Sequence, residues 1–126
     1  MSVSLRVAHI DDDEDLRAVV RLALSTTGVQ LVASCESGRA ALERIPQARP
    51  DLILVDLLMP GLDGLETVSA LRGKMDLSRV TVVLTTGLEV GRTRLEWDAV
   101  GVAAVLAKPF DANSLASRLL SLHAGA

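Results

Sequence analysis

The chain has 126 residues, of which 49% are hydrophobic, and this size and composition predict one compact domain spanning residues 1–126. A net charge of −3 and an aromatic content of 2% argue against direct nucleic-acid binding by this segment, because such binding uses basic or stacking surfaces. Cys35 is the only cysteine, and no apolar run has the length of a transmembrane helix or the flanks of a signal peptide. We therefore expect no internal disulfide, no membrane insertion and a location in the reducing cytoplasm.

Short apolar runs alternate with segments of helical periodicity along the chain. The runs that predict strands cover residues 5–10, 29–34, 51–55, 80–84 and 102–107. The segments that predict helices follow them, from residue 16 to about 28, 37–45, 65 to about 73, 88–100 and 114–122. The third run is almost wholly apolar, which is typical of a central strand buried on both faces. Strands joined by crossover helices predict an α/β fold, a doubly wound five-stranded parallel sheet flanked by five helices.

Polar residues follow four of the five predicted strands. They are Asp11-Asp12-Asp13, Asp56, Thr85-Thr86 and Lys108-Pro109. Because ligands of such sheets bind outside the carboxyl ends of the strands, where the strand order reverses, we expect these residues to lie together. Carboxylates beside a hydroxyl and an ammonium group suit a divalent cation next to a phosphoryl group.

These residues also have ordinary structural explanations. An acidic loop over residues 11–15 can cap a helix and complement its dipole, which accounts for one or two of its acids. Packed carboxylates repel one another unless a cation relieves them, so the addition of Asp56 favours a site for a hard cation similar to Mg²⁺. Asp56 alone suits a turn, and a threonine pair suits the end of a strand.

Lys108 and Pro109 leave two interpretations open. A lysine at a strand end is usually a surface charge, and the proline then merely ends the strand. Alternatively, the bond before Pro109 is a cis peptide that directs the Lys108 side chain into the cleft as a permanent counter-charge.

Four motifs together resemble the receiver domain of two-component response regulators. They are Ile10-Asp11-Asp12-Asp13, Asp56 with Met59-Pro60-Gly61 and Asp63-Gly64, Leu84-Thr85, and Lys108-Pro109-Phe110. The resemblance covers nearly the whole chain, and the order and spacing of the motifs are specific although each motif is weak alone. It implies the flavodoxin-like receiver fold, which agrees with the sheet predicted from the strand pattern.

The resemblance implies that Asp56 accepts a phosphoryl group from a phosphohistidine of a histidine kinase or a histidine phosphotransfer protein. The implied ligands of a Mg²⁺ cofactor are Asp11, Asp12, Asp56 and the backbone carbonyl of Leu58. Lys108 and the Thr85 hydroxyl would pair with phosphoryl oxygens. The protein would then be a phosphorylation-controlled switch that acts on a downstream protein or output domain, not an enzyme with its own substrate.

The switch region implied by the resemblance contains Thr85, Thr86, Val105 and Pro109. Thr85 is the preferred sensing residue because it directly follows the apolar run, although counting back from Lys108 indicates Thr86. Many members of the family carry an aromatic residue where this chain has Val105, and a valine cannot make the same swing between buried and exposed positions. The output is therefore expected to use another route.

The position two residues after Asp56 departs from some members of the family, which carry there a polar side chain that positions the attacking water. Leu58 cannot do so, and Gly87 offers no side chain to that water. Together they predict a comparatively long-lived phosphoryl group.

Three other functions fit parts of the pattern. A phosphatase of the haloacid dehalogenase type also uses a strand-end aspartate and magnesium, but it needs a second acid where this chain has Leu58. A flavodoxin needs a first loop that cradles phosphate, whereas the first loop here is acidic. The remaining alternative is a degenerate receiver that docks partners without phosphorylation, although all of the residues for phosphorylation are present.

Overall fold

A computed structural model describes residues 4–87 and 101–125 and contains one parallel sheet of five strands. The strands are β1 Leu5–Ile10, β2 Val29–Cys35, β3 Leu52–Asp56, β4 Thr81–Thr86 and β5 Val102–Ala107. The described helices are α1 Glu14–Ser25, α2 Gly38–Ala48, α3 Gly64–Arg72 and α4 Leu115–Ala124, with a 3₁₀ turn at Ala112–Ser114 before α4. These residues thus contain four α-helices where five were predicted for the chain, and the predicted helix over residues 88–100 lies outside them.

The strand order β2-β1-β3-β4-β5 makes β3 the central strand, as its apolar sequence predicts. All five of its residues are buried, and it pairs in parallel with β1 on one side and β4 on the other. The order reverses between β1 and β3, so the crevice of this doubly wound sheet lies at the carboxyl ends of these two strands. The predicted fold class is confirmed.

Each face of the sheet carries its own hydrophobic core, because successive side chains of a strand point to opposite faces. Ile53 and Val55 of β3 pack with α2 and α3, whereas Leu52 and Leu54 pack with α1 and α4. Within the described ranges, none of the helices combines the length and apolarity needed to cross a bilayer.

Local capping sets the helix boundaries. The Asp13 carboxylate accepts hydrogen bonds from the backbone N–H groups of Asp15 and Leu16 at 2.9 and 3.2 Å, so α1 begins two residues before the predicted start. Ser37 caps α2, as expected from the sequence, by accepting from Ala40 N–H at 3.1 Å.

Helix α2 continues three residues past the predicted end at residue 45 and contains Pro46. The proline lacks an N–H and removes one hydrogen bond of the helix. The last turn nevertheless closes, because Arg49 adopts a left-handed conformation with φ of 52° and donates its N–H to the Ile45 carbonyl at 3.3 Å.

The first residue of α3 lies very close to the end of β3. The Gly64 N–H donates to the Leu57 carbonyl at 2.8 Å, and the Cβ of an alanine at this position would lie 2.5 Å from the Asp56 carbonyl oxygen. We expect Gly64→Ala to lower the free energy of unfolding by about 1–3 kcal/mol, because the backbone must move apart to relieve this overlap. Urea unfolding measures the change.

Gly28→Ala is the matched control for that substitution. A Cβ added at Gly28 would have no heavy atom within 4 Å, and the Gly28 backbone is not left-handed, so alanine should be tolerated there. Equal destabilisation by the two alanines would contradict a close approach specific to Gly64.

Candidate functional site

The crevice brings together residues that follow three different strands. Asp11 directly follows β1, Asp56 is the last residue of β3, and Lys108 directly follows β5. The Lys108 ammonium lies 2.9 Å from Asp11 Oδ2 and 3.2 Å from Asp56 Oδ2, so it bridges the two carboxylates. The bond between Lys108 and Pro109 is a cis peptide, and the lysine side chain enters the cleft.

Asp11, Asp12 and Asp56 form an acidic cluster in which one oxygen of each carboxylate lies within 4.8 Å of the others. Asp11 and Asp56 are buried, whereas Asp12 is exposed. The neighbouring Asp13 does not join them, because it caps α1. The acidic loop therefore caps α1 through Asp13 and contributes Asp11 and Asp12 to the acidic cluster.

The oxygen donors of this cluster are of the kind that hard divalent cations prefer. Its open side is the exposed Asp12, where water can complete a coordination shell, and its buried side is held by Asp11, whose Oδ1 accepts from Asp13 N–H at 2.9 Å. The residues present thus fit a cation similar to Mg²⁺.

The cluster is short of positive charge. Burial raises the pKa of Asp56, repulsion from Asp11 raises it further, and the attraction of Lys108 offsets only part of this. Burial alone would lower the pKa of Lys108, but its hydrogen bonds and ion pairs with Asp11 and Asp56 outweigh burial and the net shift is upward. One ammonium group faces two buried carboxylates, so further positive charge is favoured here.

Thr85 lies beside Asp56 in the sheet. The two residues are paired across β3 and β4, and the Leu57 N–H donates to the Thr85 carbonyl at 2.9 Å. The Thr85 hydroxyl is buried and has no hydrogen-bond partner among the described residues. Thr86 extends β4 by one more residue and is only partly buried. The Thr85 hydroxyl can therefore donate a hydrogen bond to an oxygen atom of a group bound beside Asp56.

His9 is a buried polar residue that the sequence analysis did not select. Its Nε2 lies 4.0 Å from Asp11 Oδ2, and neither ring nitrogen has a hydrogen-bond partner in the described part of the chain. Burial lowers the pKa of His9 to about 4, with Asp11 acting in the opposite direction. The available signal was a histidine within an apolar strand, two residues before an acid and hence on the same side of that strand.

The family profile of the response regulator receiver domain matches residues 7–120, which is most of the chain. This chain belongs to that family. Receiver domains are the signalling switches of two-component systems, so the comparison confirms the family indicated by the four motifs and the broad function that it implies.

Relatives and solved structures agree with this assignment. The chain is 37% identical over 120 residues to the response regulator MprA of Mycobacterium tuberculosis, covering 95% of this chain and 51% of that relative. It is 40% identical over 86 residues to protein-glutamate methylesterase/protein-glutamine glutaminase 5 of Myxococcus xanthus, covering 68% of this chain and 25% of that protein. The chemotaxis protein CheY4 of Vibrio cholerae superposes with a TM-score of 0.85 at 28% identity, over 95% of this chain and 99% of that one.

The receiver domain spans about half of MprA and a quarter of the methylesterase. The enzymatic activity named in the methylesterase belongs to that longer protein. For this chain the comparisons support a receiver domain acting as a switch.

Three positions that distinguish this receiver domain carry no polar side chain. The Leu58 backbone offsets a small part of the raised pKa of Asp56, and the Leu58 side chain is 48% exposed. Val105 of β5 is partly buried and packs against the core on the α2 and α3 face. Gly87 follows β4 and is exposed.

Two buried threonines of β4 differ in their hydrogen bonding, which provides a paired prediction. Thr81 is buried, and its hydroxyl lies 2.9 Å from Nδ1 of His123 in α4. Thr81→Val should therefore lower the free energy of unfolding by about 1 kcal/mol, since it removes the hydrogen bond between Thr81 and His123. Thr85→Val should raise it by up to about 1 kcal/mol, since it removes a buried hydroxyl without a partner.

Urea unfolding of both variants checks the sign of each change. Because the two substitutions are chemically identical and lie on the same strand, loss of β-strand packing would move both in one direction. Destabilisation by Thr85→Val equal to that by Thr81→Val would contradict an unpartnered hydroxyl at Thr85.

Proposed function

We propose that this receiver domain accepts a phosphoryl group on Asp56 from a phosphohistidine of a histidine kinase or histidine phosphotransfer protein. The observation that carries the proposal is the ammonium of Lys108 bridging Asp11 and Asp56 beside the acidic cluster. An Asp56 oxygen attacks phosphorus, the bond from phosphorus to the imidazole nitrogen breaks, and the imidazole leaves with the electron pair. The product is an acyl phosphate on Asp56 and a histidine free to take a proton.

Mg²⁺ is the proposed cofactor of this transfer. Asp11, Asp12, Asp56 and the backbone carbonyl of Leu58 would hold it. When bound, such a cation offsets the charge of the incoming phosphoryl group and polarises its oxygens. The carboxylate set supports this part of the proposal because it carries more negative charge than Lys108 balances.

Lys108 and Thr85 are the proposed ligands of the phosphoryl oxygens from the protein. Lys108 already pairs with Asp56, so the same ammonium is within reach of an oxygen attached to that carboxylate. The Thr85 hydroxyl lies on the neighbouring strand, and its O–H group has no acceptor among the described residues. Movement of Thr85 toward the phosphoryl group would shift an existing equilibrium and alter contacts with a downstream protein or output domain. Thr86, Val105 and Pro109 complete the proposed switch region.

The proposal is tested by incubating the protein with Mg²⁺ and acetyl phosphate and measuring its intact mass. The expected result is the mass of one added phosphoryl group, which disappears when EDTA removes the metal. Borohydride reduction followed by peptide mapping should place the label at Asp56. No Mg²⁺-dependent adduct would overturn the proposal and leave docking without phosphorylation as the function.

A long phosphoryl lifetime is a further part of this proposal, because the Leu58 side chain and Gly87 offer no group that positions water. Leu58→Asn is expected to shorten the lifetime by about tenfold, since an amide at this exposed position can orient the attacking water. The measurement is the decay of the phosphorylated mass after the phosphodonor is removed.

Leu120→Asn provides the control for that measurement. Leu120 is a leucine of similar exposure, 45%, on α4. Its replacement should leave the decay unchanged. Decay of the Leu58→Asn variant at the wild-type rate would contradict a role for this position in hydrolysis.

A further inference from the structure

His9 lies next to the acidic cluster, and the phosphoryl transfer proposed above gives it no role. Its side chain is fully buried, and Nε2 is 4.0 Å from Asp11 Oδ2. Neither ring nitrogen has a hydrogen-bond partner among residues 4–87 and 101–125. Buried polar groups are normally paired, because leaving one unpaired costs free energy. The His9 ring thus lies close to the Asp11 carboxylate without forming a hydrogen bond to it.

His9 and Asp11 form no hydrogen bond because both carboxylate oxygens of Asp11 already accept one from another group. Its Oδ1 accepts from Asp13 N–H at 2.9 Å, and its Oδ2 accepts from Lys108 Nζ at 2.9 Å. The Lys108 ammonium is shared with Asp56 Oδ2 at 3.2 Å. A phosphoryl group on Asp56 would draw Lys108 toward its oxygens. Asp11 Oδ2 would then lose its hydrogen-bond donor while remaining buried, which is costly for a carboxylate oxygen that the proposed cation does not contact.

We propose that His9 is a positioning residue for Asp11: its Nε2–H donates to Asp11 Oδ2 when Lys108 pairs with the phosphoryl group on Asp56. This inference rests on the proposed function. The two atoms must approach by about 1 Å to reach hydrogen-bonding distance. Rotation of the imidazole about its last side-chain torsion supplies such a shift, because that torsion has a broad minimum.

The consequence is that Asp11 keeps its orientation throughout the transfer. Groups that hold metal-binding carboxylates in place commonly change affinity or activity by roughly 10- to 100-fold when they are removed. The role requires a neutral ring with its proton on Nε2, which leaves Nδ1 as an acceptor. It requires no change in the protonation state of His9.

Two substitutions of similar size separate donation from packing. His9→Gln keeps an N–H donor near the position of Nε2, whereas His9→Met fills the space without a donor. With Mg²⁺ and acetyl phosphate, His9→Met should be phosphorylated about tenfold more slowly than wild type, and His9→Gln should recover to within about threefold. Binding of Mg²⁺ alone, followed by calorimetry, should change by less than about twofold in both, because Lys108 still pairs with Asp11 there.

Each other outcome overturns the inference. Equal slowing in both variants means that His9 acts through packing alone, and wild-type rates in both mean that it has no role, while the proposed function stands. A large loss of binding of Mg²⁺ alone means that His9 supports the site before the phosphoryl group arrives. No adduct on the wild-type protein would instead overturn the proposed function, and this inference with it.

Nuclear magnetic resonance of the wild-type protein provides a test that does not depend on the folding of a variant at His9. The chain has two histidines, and His123→Gln removes one set of ring signals and assigns the other to His9. With Mg²⁺ and beryllofluoride as a phosphoryl mimic, long-range ¹H–¹⁵N correlations should show a neutral His9 protonated at Nε2. That proton should move downfield when the mimic binds. A ring protonated at Nδ1, or an Nε2 proton that does not respond, would overturn the inference.

Discussion

Asp56→Asn is expected to remove the phosphoryl adduct that Mg²⁺ and acetyl phosphate produce on the wild-type protein. The amide has no anionic oxygen with which to attack phosphorus, and loss of a nucleophile reduces rates by roughly 10³-fold or more. The intact mass of the variant should therefore remain that of the unmodified chain at times when the wild-type protein is fully labelled.

The same variant should be at least as stable as the wild-type protein in the absence of metal. Burial and the proximity of Asp11 raise the pKa of Asp56 above its unfolded value, so the ionised carboxylate disfavours folding at neutral pH. This cost diminishes as the pH falls through the raised pKa toward the ordinary value, because the folded state then takes up the proton first. Urea unfolding in EDTA should show the advantage of Asp56→Asn at neutral pH and its decrease in acid.

Asp51→Asn is the matched control for both measurements. Asp51 precedes the same strand at its opposite end, where Oδ2 accepts from Arg6 N–H at 2.9 Å, and an asparagine oxygen can accept that bond as well. The Asp51→Asn variant should form the phosphoryl adduct at the wild-type rate. An adduct on Asp56→Asn equal to that on the wild-type protein would place the acceptor at another residue and overturn the proposed phosphorylation of Asp56.

Lys108→Met is expected to change two properties in opposite directions. The rate of phosphoryl transfer should fall by about 10²-fold, because one fixed positive donor to the phosphoryl oxygens is lost. The affinity for Mg²⁺ alone should rise by about threefold to tenfold, because Asp11 and Asp56 lose the ammonium that balances their charge. Intact mass gives the first quantity and calorimetric titration with Mg²⁺ gives the second.

Lys74→Met removes the only other lysine of the chain and is the matched control. Lys74 is exposed in the turn after α3, so neither quantity should change. A fall in both phosphoryl transfer and Mg²⁺ affinity for Lys108→Met would indicate a general loss of the site's structure and contradict a role as a counter-charge.

The sheet was predictable from the sequence because burial on both faces imposes apolar runs. The bounds of β1 and β5 match the predicted residues, and β3 is central as expected. The end of β4 was missed because Thr85 and Thr86 continue the pairing with β5 through backbone groups, which polar side chains do not interrupt. The start of α1 at Glu14 was missed because several adjacent acids could cap the helix, and only the structure shows that Asp13 does so.

The site was predictable to the extent that position along the strands determines it. Asp11, Asp56 and Lys108 meet because they end three parallel strands of one sheet. The separate tasks of Asp11 and Asp13 were not predictable, since they depend on the direction of each side chain. The relation between His9 and Asp11 was missed for a related reason, because a histidine in a strand shows its surroundings only once the neighbouring elements are packed around it.

The close approach of Gly64 to the Asp56 carbonyl makes the two sides of the site differ in how tightly they are packed. The start of α3 is held against β3 without room for a side chain, so the end of β3 at Asp56 is packed directly against this helix. On the other side, the Thr85 hydroxyl has no hydrogen-bond partner among the described residues, and the Lys108 ammonium pairs with both Asp11 and Asp56. If Asp56 accepts a phosphoryl group as proposed, the adjustment to it would therefore fall to the side chains of Thr85 and Lys108 and not to α3.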